Sequence, residues 1–167
     1  MSSGLWGLLG VIIGSLLTFL LTEWHNFKIT KNKLKSHWQA LKEEAEICKI
    51  KADEFINDSI TAPLYRLPTM LYQTSFPFIL ANDKLSKEET SSVILYFTQV
   101  DHFNRGLDIA EKKHLKRELT RNASEALFGR TKVQEINNRN KLYATELSKT
   151  HLYLNLKRIF ENKLKTK

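Results

Sequence analysis

Residues 5–21 read LWGLLGVIIGSLLTFLL, and this uncharged stretch decides the architecture of the chain. The 26 Lys and Arg residues and the 18 Asp and Glu residues all follow Thr22. A helix of about 20 apolar residues spans the ~30 Å hydrocarbon core of a bilayer. Trp6 and Trp24 would lie roughly 27 Å apart on such a helix, at the depths of the two interfacial aromatic belts. We therefore predict a transmembrane anchor over residues 1–24.

A cleaved signal peptide is the competing interpretation of this stretch. It requires basic residues before the apolar run and small residues at a cleavage site. Nothing basic precedes Leu5, and the run is followed by Glu23 and Trp24, so an uncleaved anchor is favoured.

The charges that follow the anchor predict its orientation. Four lysines come directly after it: Lys28, Lys31, Lys33 and Lys35. The positive-inside rule then predicts a single-pass protein of the bacterial inner membrane, with its N-terminus outside and residues 25–167 in the cytoplasm. Attraction to the anionic headgroups of the membrane lipid accounts for these lysines.

Small residues form one stripe along the predicted anchor. They recur at spacings of three or four: Ser3, Gly7, Gly10, Gly14, Thr18 and Thr22. Small residues let helix backbones approach closely in lipid. The stripe predicts a homo-oligomer joined through Gly7, Gly10, Gly14 and Thr18, although glycine is also common in membrane helices that do not associate.

Residues 26–58 contain neither proline nor glycine and carry an apolar seam. Its members alternate spacings of four and three: Leu34, Trp38, Leu41, Ala45, Cys48, Ala52 and Phe55. This predicts a long juxtamembrane helix over 25–58, continuous with the anchor, whose seam packs either on its own domain or in a coiled coil. Cys48 is the single cysteine, so an intramolecular disulfide framework is excluded. Because it lies on the seam, Cys48 is expected in the core.

The rest of the chain, residues 59–167, shows helical periodicity and no strand-like alternation. We predict an all-α fold, in which this cytoplasmic helical domain packs with residues 25–58. A short helix over 69–75 is expected to end before Pro77. A last helical segment is expected over 124–164, with Leu147, Leu154 and Ile159 on its apolar stripe.

A capping box marks the start of another helix, with Ser86 three positions before Glu89. Six apolar residues form its expected buried face: Val93, Tyr96, Phe97, Val100, Phe103 and Leu107. Gly106 lowers helix propensity, so the helix is expected to end around Ile109 or Ala110.

Recognisable catalytic chemistry is absent from the sequence. There is no phosphate-binding loop, no glycine-rich dinucleotide motif, no nucleophile elbow and no HExxH motif. The five histidines are not paired at metal-ligand spacing. We predict a non-enzyme without metal or cofactor; an enzyme assembled from distant residues stays open as an alternative.

A second basic cluster lies between residues 112 and 141. Its candidate ligand-binding residues are Lys112, Lys113, His114, Lys116, Arg117, Arg121, Arg130, Lys132 and Asn138. Cations contact phosphates, and asparagine reads adenine edges. The cluster predicts a nucleotide polyanion as ligand, with a solvated basic face as the alternative. Duplex DNA is not expected, since no helix-turn-helix motif is present.

The layout resembles the small membrane-anchored effector of type III CRISPR antiviral systems that binds cyclic tetra-adenylate. The shared features are one N-terminal membrane segment, a basic helical cytoplasmic domain and a similar length. The resemblance implies a tetramer that binds a cyclic oligoadenylate and then perturbs the membrane in antiviral defence. The alternative is a membrane-tethered helical protein-interaction module with no nucleotide ligand.

Overall fold

The computed structural model describes the backbone of residues 2–58, 66–119 and 123–165, and the side chains of residues 10–57, 66–113 and 134–165. Every regular element in this part of the chain is a helix, which confirms the all-α prediction. The helices are α1 (Ser2–Asp58), α2 (Met70–Asn82), α3 (Lys87–Leu119), α4 (Ala123–Lys149) and α5 (His151–Lys165).

Helix α1 is continuous over 57 residues, which corresponds to about 85 Å. The prediction that one helix joins the N-terminal stretch to residues 25–58 is confirmed. Within the described residues, however, no helix has both the length and the apolar character needed to cross a bilayer. The predicted anchor over residues 1–24 begins with residues 1–9, whose side chains lie outside the described part of the chain.

The seam of α1 packs on its own domain. All its members from Trp38 to Phe55 are buried, and Leu34 packs against them. Helix α1 contacts α2, α4 and α5, and its Phe55 meets Phe103 of α3 edge to face with ring centroids 5.0 Å apart. We call this packed unit, residues 34–57 of α1 together with α2–α5, the helical head.

Helix α3 runs in the same direction as α1, and α4 and α5 run back. Trp38 of α1 donates to Asp83 just before α3, at 2.9 Å. Further along, the Tyr96 hydroxyl donates to the Ala45 carbonyl at 3.0 Å. Since Phe55 then pairs with Phe103, α3 continues well beyond the end of α1. The first part of α1 therefore projects from one end of the head, and the ends of α3 and α4, which form a helical hairpin, project from the other.

Helix α2 continues through Pro77, so the prediction of a short helix ending before this proline was wrong. Pro77 removes one backbone donor, but its exposed ring faces solvent. The flanking residues Phe76 and Ile79 are buried in the core. Their burial offsets the lost hydrogen bond.

The capping box at the start of α3 is confirmed. The Glu89 amide donates to Ser86 Oγ at 3.1 Å, and the Ser86 amide donates to Glu89 Oε2 at 2.9 Å. All six predicted core residues of α3 are buried. The predicted end around Ile109 was wrong, since α3 runs to Leu119. Gly106 does not end it, because the glycine lies against α4 and its missing side chain makes room for that helix.

The last segment is two helices, with a break at Thr150. The Leu152 amide donates to Thr150 Oγ1 at 3.3 Å, so this threonine caps the start of α5. The break changes the helical register. As a result Leu147 and Ile159 are buried as predicted, whereas Leu154 is 57% exposed.

A buried carboxylate, not recognised from the sequence, fixes the start of α2. Glu44 of α1 is 1% exposed. It accepts the backbone amides of Leu71 at 2.9 Å and Tyr72 at 2.6 Å. Thr69, the N-cap residue, makes no side-chain cap bond. Glu44 thus supplies from another helix the acceptor and the negative charge that a helix N-terminus prefers.

Candidate functional site

The α3–α4 hairpin carries the second basic cluster. Gly106 allows its two helices to approach closely, since a Cβ at this position would clash with the Asn140 side chain. Nearby, the rings of His102 and Tyr143 lie 5.8 Å apart. Beyond this crossing α3 runs to Leu119 and α4 begins at Ala123. The cluster therefore belongs to the end of the hairpin farther from the start of α1.

Three of the predicted ligand-binding side chains lie in the described part of the chain. Lys112 is exposed and Lys113 half-buried near the end of α3, and Asn138 is exposed on α4. His114, Lys116 and Arg117 lie on α3 and Arg130 and Lys132 on α4, but their side chains lie outside the described residues, and Arg121 lies outside them entirely.

The structure brings both described lysines to one end of the hairpin but turns Asn138 away from α3. Asn138 precedes Asn140 by two residues, about 200° around the helix. Because Asn140 faces Gly106, Asn138 lies on the outer side of α4. Lys113 follows Gly106 by about two helical turns, so it shares the side of α3 that faces α4.

Two carboxylates of α3 that precede Lys112 in the sequence are already engaged by another cation. Arg66 Nε donates to Asp108 Oδ1 at 2.8 Å, and its Nη2 donates to Glu111 Oε2 at 3.0 Å. The hydrogen bonds that Arg66 donates to Asp108 and then to Glu111 raise the pKa of Arg66 above its ordinary value. Lys112 and Lys113 therefore keep an excess of positive charge although two carboxylates lie nearby.

A second contact fixes residues 66–69, which lead into α2, on the same stretch of α3. Asn104 Oδ1 accepts the Leu67 amide at 2.8 Å, and Asn104 Nδ2 donates to the Leu67 carbonyl at 2.9 Å. Arg66 and Leu67 thus attach the segment before α2 to the part of α3 from which the hairpin begins to project.

A group of buried polar atoms between α3 and α4 escaped sequence reasoning. Asn140 is fully buried, and neither its Oδ1 nor its Nδ2 has a hydrogen-bond partner among the described residues. Gln99 Oε1 and Asn137 Oδ1 are also buried and unpaired there. Each unpaired buried polar group costs about 1–3 kcal/mol. The three asparagines within residues 137–140, opposite a helix glycine, are the sequence signal that could have revealed this buried polar group.

The predicted oligomerisation residues lie on the projecting part of α1. A Cβ built on Gly10 or Gly14 meets nothing within 4 Å. Thr18 Oγ1 donates to the Gly14 carbonyl at 2.9 Å. The side-chain position of Gly7 lies outside the described residues. Gly10 and Gly14 therefore lie on a face of α1 that has space next to it, and the hydroxyl of Thr18 has its hydrogen-bond partner within the same helix.

Among the residues whose side chains are described, no group of three or more His, Cys, Asp or Glu side chains is arranged to hold a metal ion. Cys48 is buried and donates to the Pro68 carbonyl at 3.3 Å. Its burial, with a contribution from Glu44, raises the pKa of the thiol to about 12. A neutral, enclosed thiol fits a packing role, as expected from the seam.

Comparison with known proteins assigns no relative. No family model matches the chain, and neither a curated protein nor a solved structure matches it.

Proposed function

We propose that the chain is a membrane-anchored, oligomeric sensor and effector. In this proposal residues 1–24 form a transmembrane anchor in the bacterial inner membrane, and the helical head lies in the cytoplasm. The basic end of the α3–α4 hairpin binds a cyclic oligoadenylate, with cyclic tetra-adenylate as the first candidate. Binding perturbs the membrane in antiviral defence, and the chain has a binding role rather than a catalytic one.

The observation that carries the proposal is the course of α1. One helix leaves the N-terminal stretch, enters the head at Leu34 and forms part of its core as far as Phe55. The hairpin with the basic cluster projects from the far end. A rearrangement among heads would therefore move a helix that runs continuously to the N-terminal stretch.

Exposure of the projecting part of α1 supports the anchor. Eight large apolar side chains between residues 10 and 21 are 54–71% exposed: Val11, Ile12, Ile13, Leu16, Leu17, Phe19, Leu20 and Leu21. Contiguous apolar surface of this kind is unusual on a protein in water and marks an interaction or membrane site. The hydroxyls of Ser15, Thr18 and Thr22 donate to carbonyls of the same helix, as a helix requires in an apolar medium.

Charge supports an anionic ligand. The chain carries a formal charge of +8, and Asp108 and Glu111, which precede Lys112 and Lys113 on α3, are engaged by Arg66. The choice of a cyclic oligoadenylate comes from the resemblance to the type III CRISPR effector. In a symmetric tetramer each copy would present the same cluster to a ligand on the axis.

The proposed mechanism is a shift between two arrangements of the heads. The ligand acts only if it binds one arrangement more tightly than the other. Its phosphates would bridge basic clusters of different subunits, and α1 would carry the reorientation to the stripe that contains Gly10 and Gly14.

Calorimetry tests the ligand. The full chain in neutral detergent is titrated with cyclic tetra-adenylate, and its salt dependence is measured, since phosphate contacts weaken as salt rises. The variant Arg117→Glu with Arg121→Glu is expected to lose binding. The matched control reverses two exposed charges on α5, Lys157→Glu with Arg158→Glu, and is expected to keep it. Absence of binding by the unmodified chain at every salt concentration would refute the sensor.

Exposed apolar residues on the head favour the second candidate, the membrane-tethered interaction module. Met70 is 73%, Leu142 66% and Leu95 53% exposed. Such side chains suit a protein partner, and this function needs no nucleotide. The same titration separates the two candidates, because the module predicts no heat with cyclic oligoadenylates while the chain remains folded and membrane-bound.

A further inference from the structure

A groove lies where the projecting part of α1 meets the helical head. Its volume is about 700 Å³. Three of its lysines, Lys28, Lys31 and Lys35, come from α1, and the fourth, Lys163, comes from α5. Trp24 and Phe27 line its outer part. We call this site the lysine groove.

The charge of the lysine groove is strongly one-sided. Among the described residues that line it, Asp83 is the only carboxylate. Asp83 already accepts from Trp38 Nε1 at 2.9 Å and lies 3.4 Å from Lys163 Nζ. The three α1 lysines thus face a groove whose one negative charge is engaged by other donors, so a further anion fits its electrostatics.

The order of side chains along α1 defines what kind of anion fits. Lys28, Lys31 and Lys35 follow the i, i+3, i+7 spacing of one helix face. Trp24 and Phe27, 69% and 67% exposed, continue this face towards the exposed apolar residues 10–21. A ligand that fills both parts needs a negatively charged head and an apolar tail next to it.

We infer that the lysine groove binds the phosphate headgroup of one anionic phospholipid, whose acyl chains lie along residues 10–21. This inference rests on the proposed membrane anchoring and deepens it. If the attraction were diffuse, every lysine near the membrane would contribute equally to lipid affinity. In a groove, lysines that line it contribute more than lysines on other faces of α1. The aromatic rings of the groove would lie at the level of the headgroups.

The helix itself provides a matched pair of variants. Lys31 lines the lysine groove, whereas Lys33, two residues further, does not. Both are exposed, and Lys31→Gln and Lys33→Gln remove the same charge. The full chain in neutral detergent is titrated with phosphatidylglycerol, and bound lipid is counted by native mass spectrometry. Loss of a charge-assisted hydrogen bond predicts roughly tenfold weaker binding for Lys31→Gln, and less than twofold for Lys33→Gln.

Three results would overturn the lysine groove as a lipid site. Equal losses in both variants would show diffuse attraction. Equal binding of phosphatidylcholine would show that the negative headgroup is not recognised. Displacement of phosphatidylglycerol by millimolar glycerol 3-phosphate would assign the groove to a soluble phosphate.

Flotation separates failure of this inference from failure of the anchor. The full chain is mixed with vesicles of phosphatidylcholine alone and with vesicles containing phosphatidylglycerol. A chain that floats with neither has no anchor, and both proposals fail. A chain that floats with both, while Lys31→Gln and Lys33→Gln lose phosphatidylglycerol equally, keeps the anchor and loses the groove.

Discussion

At the scale of single residues, Cys48 reports on the core. Its thiol is buried and donates to the carbonyl of Pro68, just before α2. Burial raises the pKa of this thiol from 9.0 to about 12. Between these values the unfolded chain loses the proton and the folded chain keeps it. The free energy of unfolding should therefore fall as pH rises from about 9 to 12, by up to ~1.4 kcal/mol per pH unit from this group.

The Cys48→Ala variant is the control for this slope. Burial, and then the nearby Cys48, also raise the pKa of Tyr96, so the difference between the two proteins measures the thiol together with its coupling to this tyrosine. Urea unfolding of both proteins from pH 8 to 11 should show a steeper decline for the unmodified chain above pH 9. Parallel curves would mean that the thiol is not protected in the folded state.

Gly106 of α3 lies against the buried Asn140 side chain of α4. Replacing a helix glycine by alanine normally stabilises by about 1 kcal/mol. Here the added methyl group would meet the buried Asn140 side chain, so Gly106→Ala is expected to cost about 1–3 kcal/mol instead. In the Asn140→Ala background the same change should become stabilising, and thermal unfolding of the four proteins gives the coupling. Additive effects would contradict this contact.

At the scale of elements, α2 depends on a carboxylate from α1. Glu44→Gln keeps the shape of the side chain but leaves one acceptor for the two amides of Leu71 and Tyr72. Because the site is buried, we expect a loss of about 1.5–3 kcal/mol in the free energy of unfolding. Glu43→Gln, one residue earlier and exposed, is the matched control and should change it by less than about 0.5 kcal/mol. Equal effects in urea unfolding would show that Glu44 does not cap α2.

Sequence periodicity predicted the elements better than their ends. The seam of α1 and the capping box of α3 depend on nearby residues, and both are confirmed. The ends near Pro77 and Ile109 were missed because local propensity was overruled by packing. Neither the burial of Phe76 beside Pro77 nor the fit of Gly106 against Asn140 is visible along a single helix.

The candidate site was predictable only as a composition of charges. Clustering grouped Lys112 and Lys113 with the other cations of residues 112–141. The pairing of Glu111 with Arg66, which lies 45 residues earlier, depends on the fold. The unpaired Asn140 likewise depends on which helix faces it. The lysine groove combines residues of α1 with Lys163 of α5, a separation in sequence that no local pattern reveals.

At the scale of the whole molecule, the continuity of α1 is directly measurable. Ser15 and Gln39 are both exposed and 24 residues apart, so spin labels there should give a narrow distance distribution near 36 Å. The labels are introduced in the Cys48→Ala background. Thr30→Pro, between the labels and on the exposed part of α1, is expected to broaden or shorten the distribution. A broad distribution without the proline would refute the continuous helix.

The parallel course of α1 and α3 sets the distance between the lysine groove and the second basic cluster. From Lys35 to the level of Phe55, and on from Phe103 to Lys112, the path along the helices is roughly 40 Å. Mobile ions screen charges over about 8 Å at physiological ionic strength. The electrostatic interaction between the two sites is therefore negligible, and an anion that binds at one of them does not change the potential at the other. Any message between them has to travel as movement of the packed backbone.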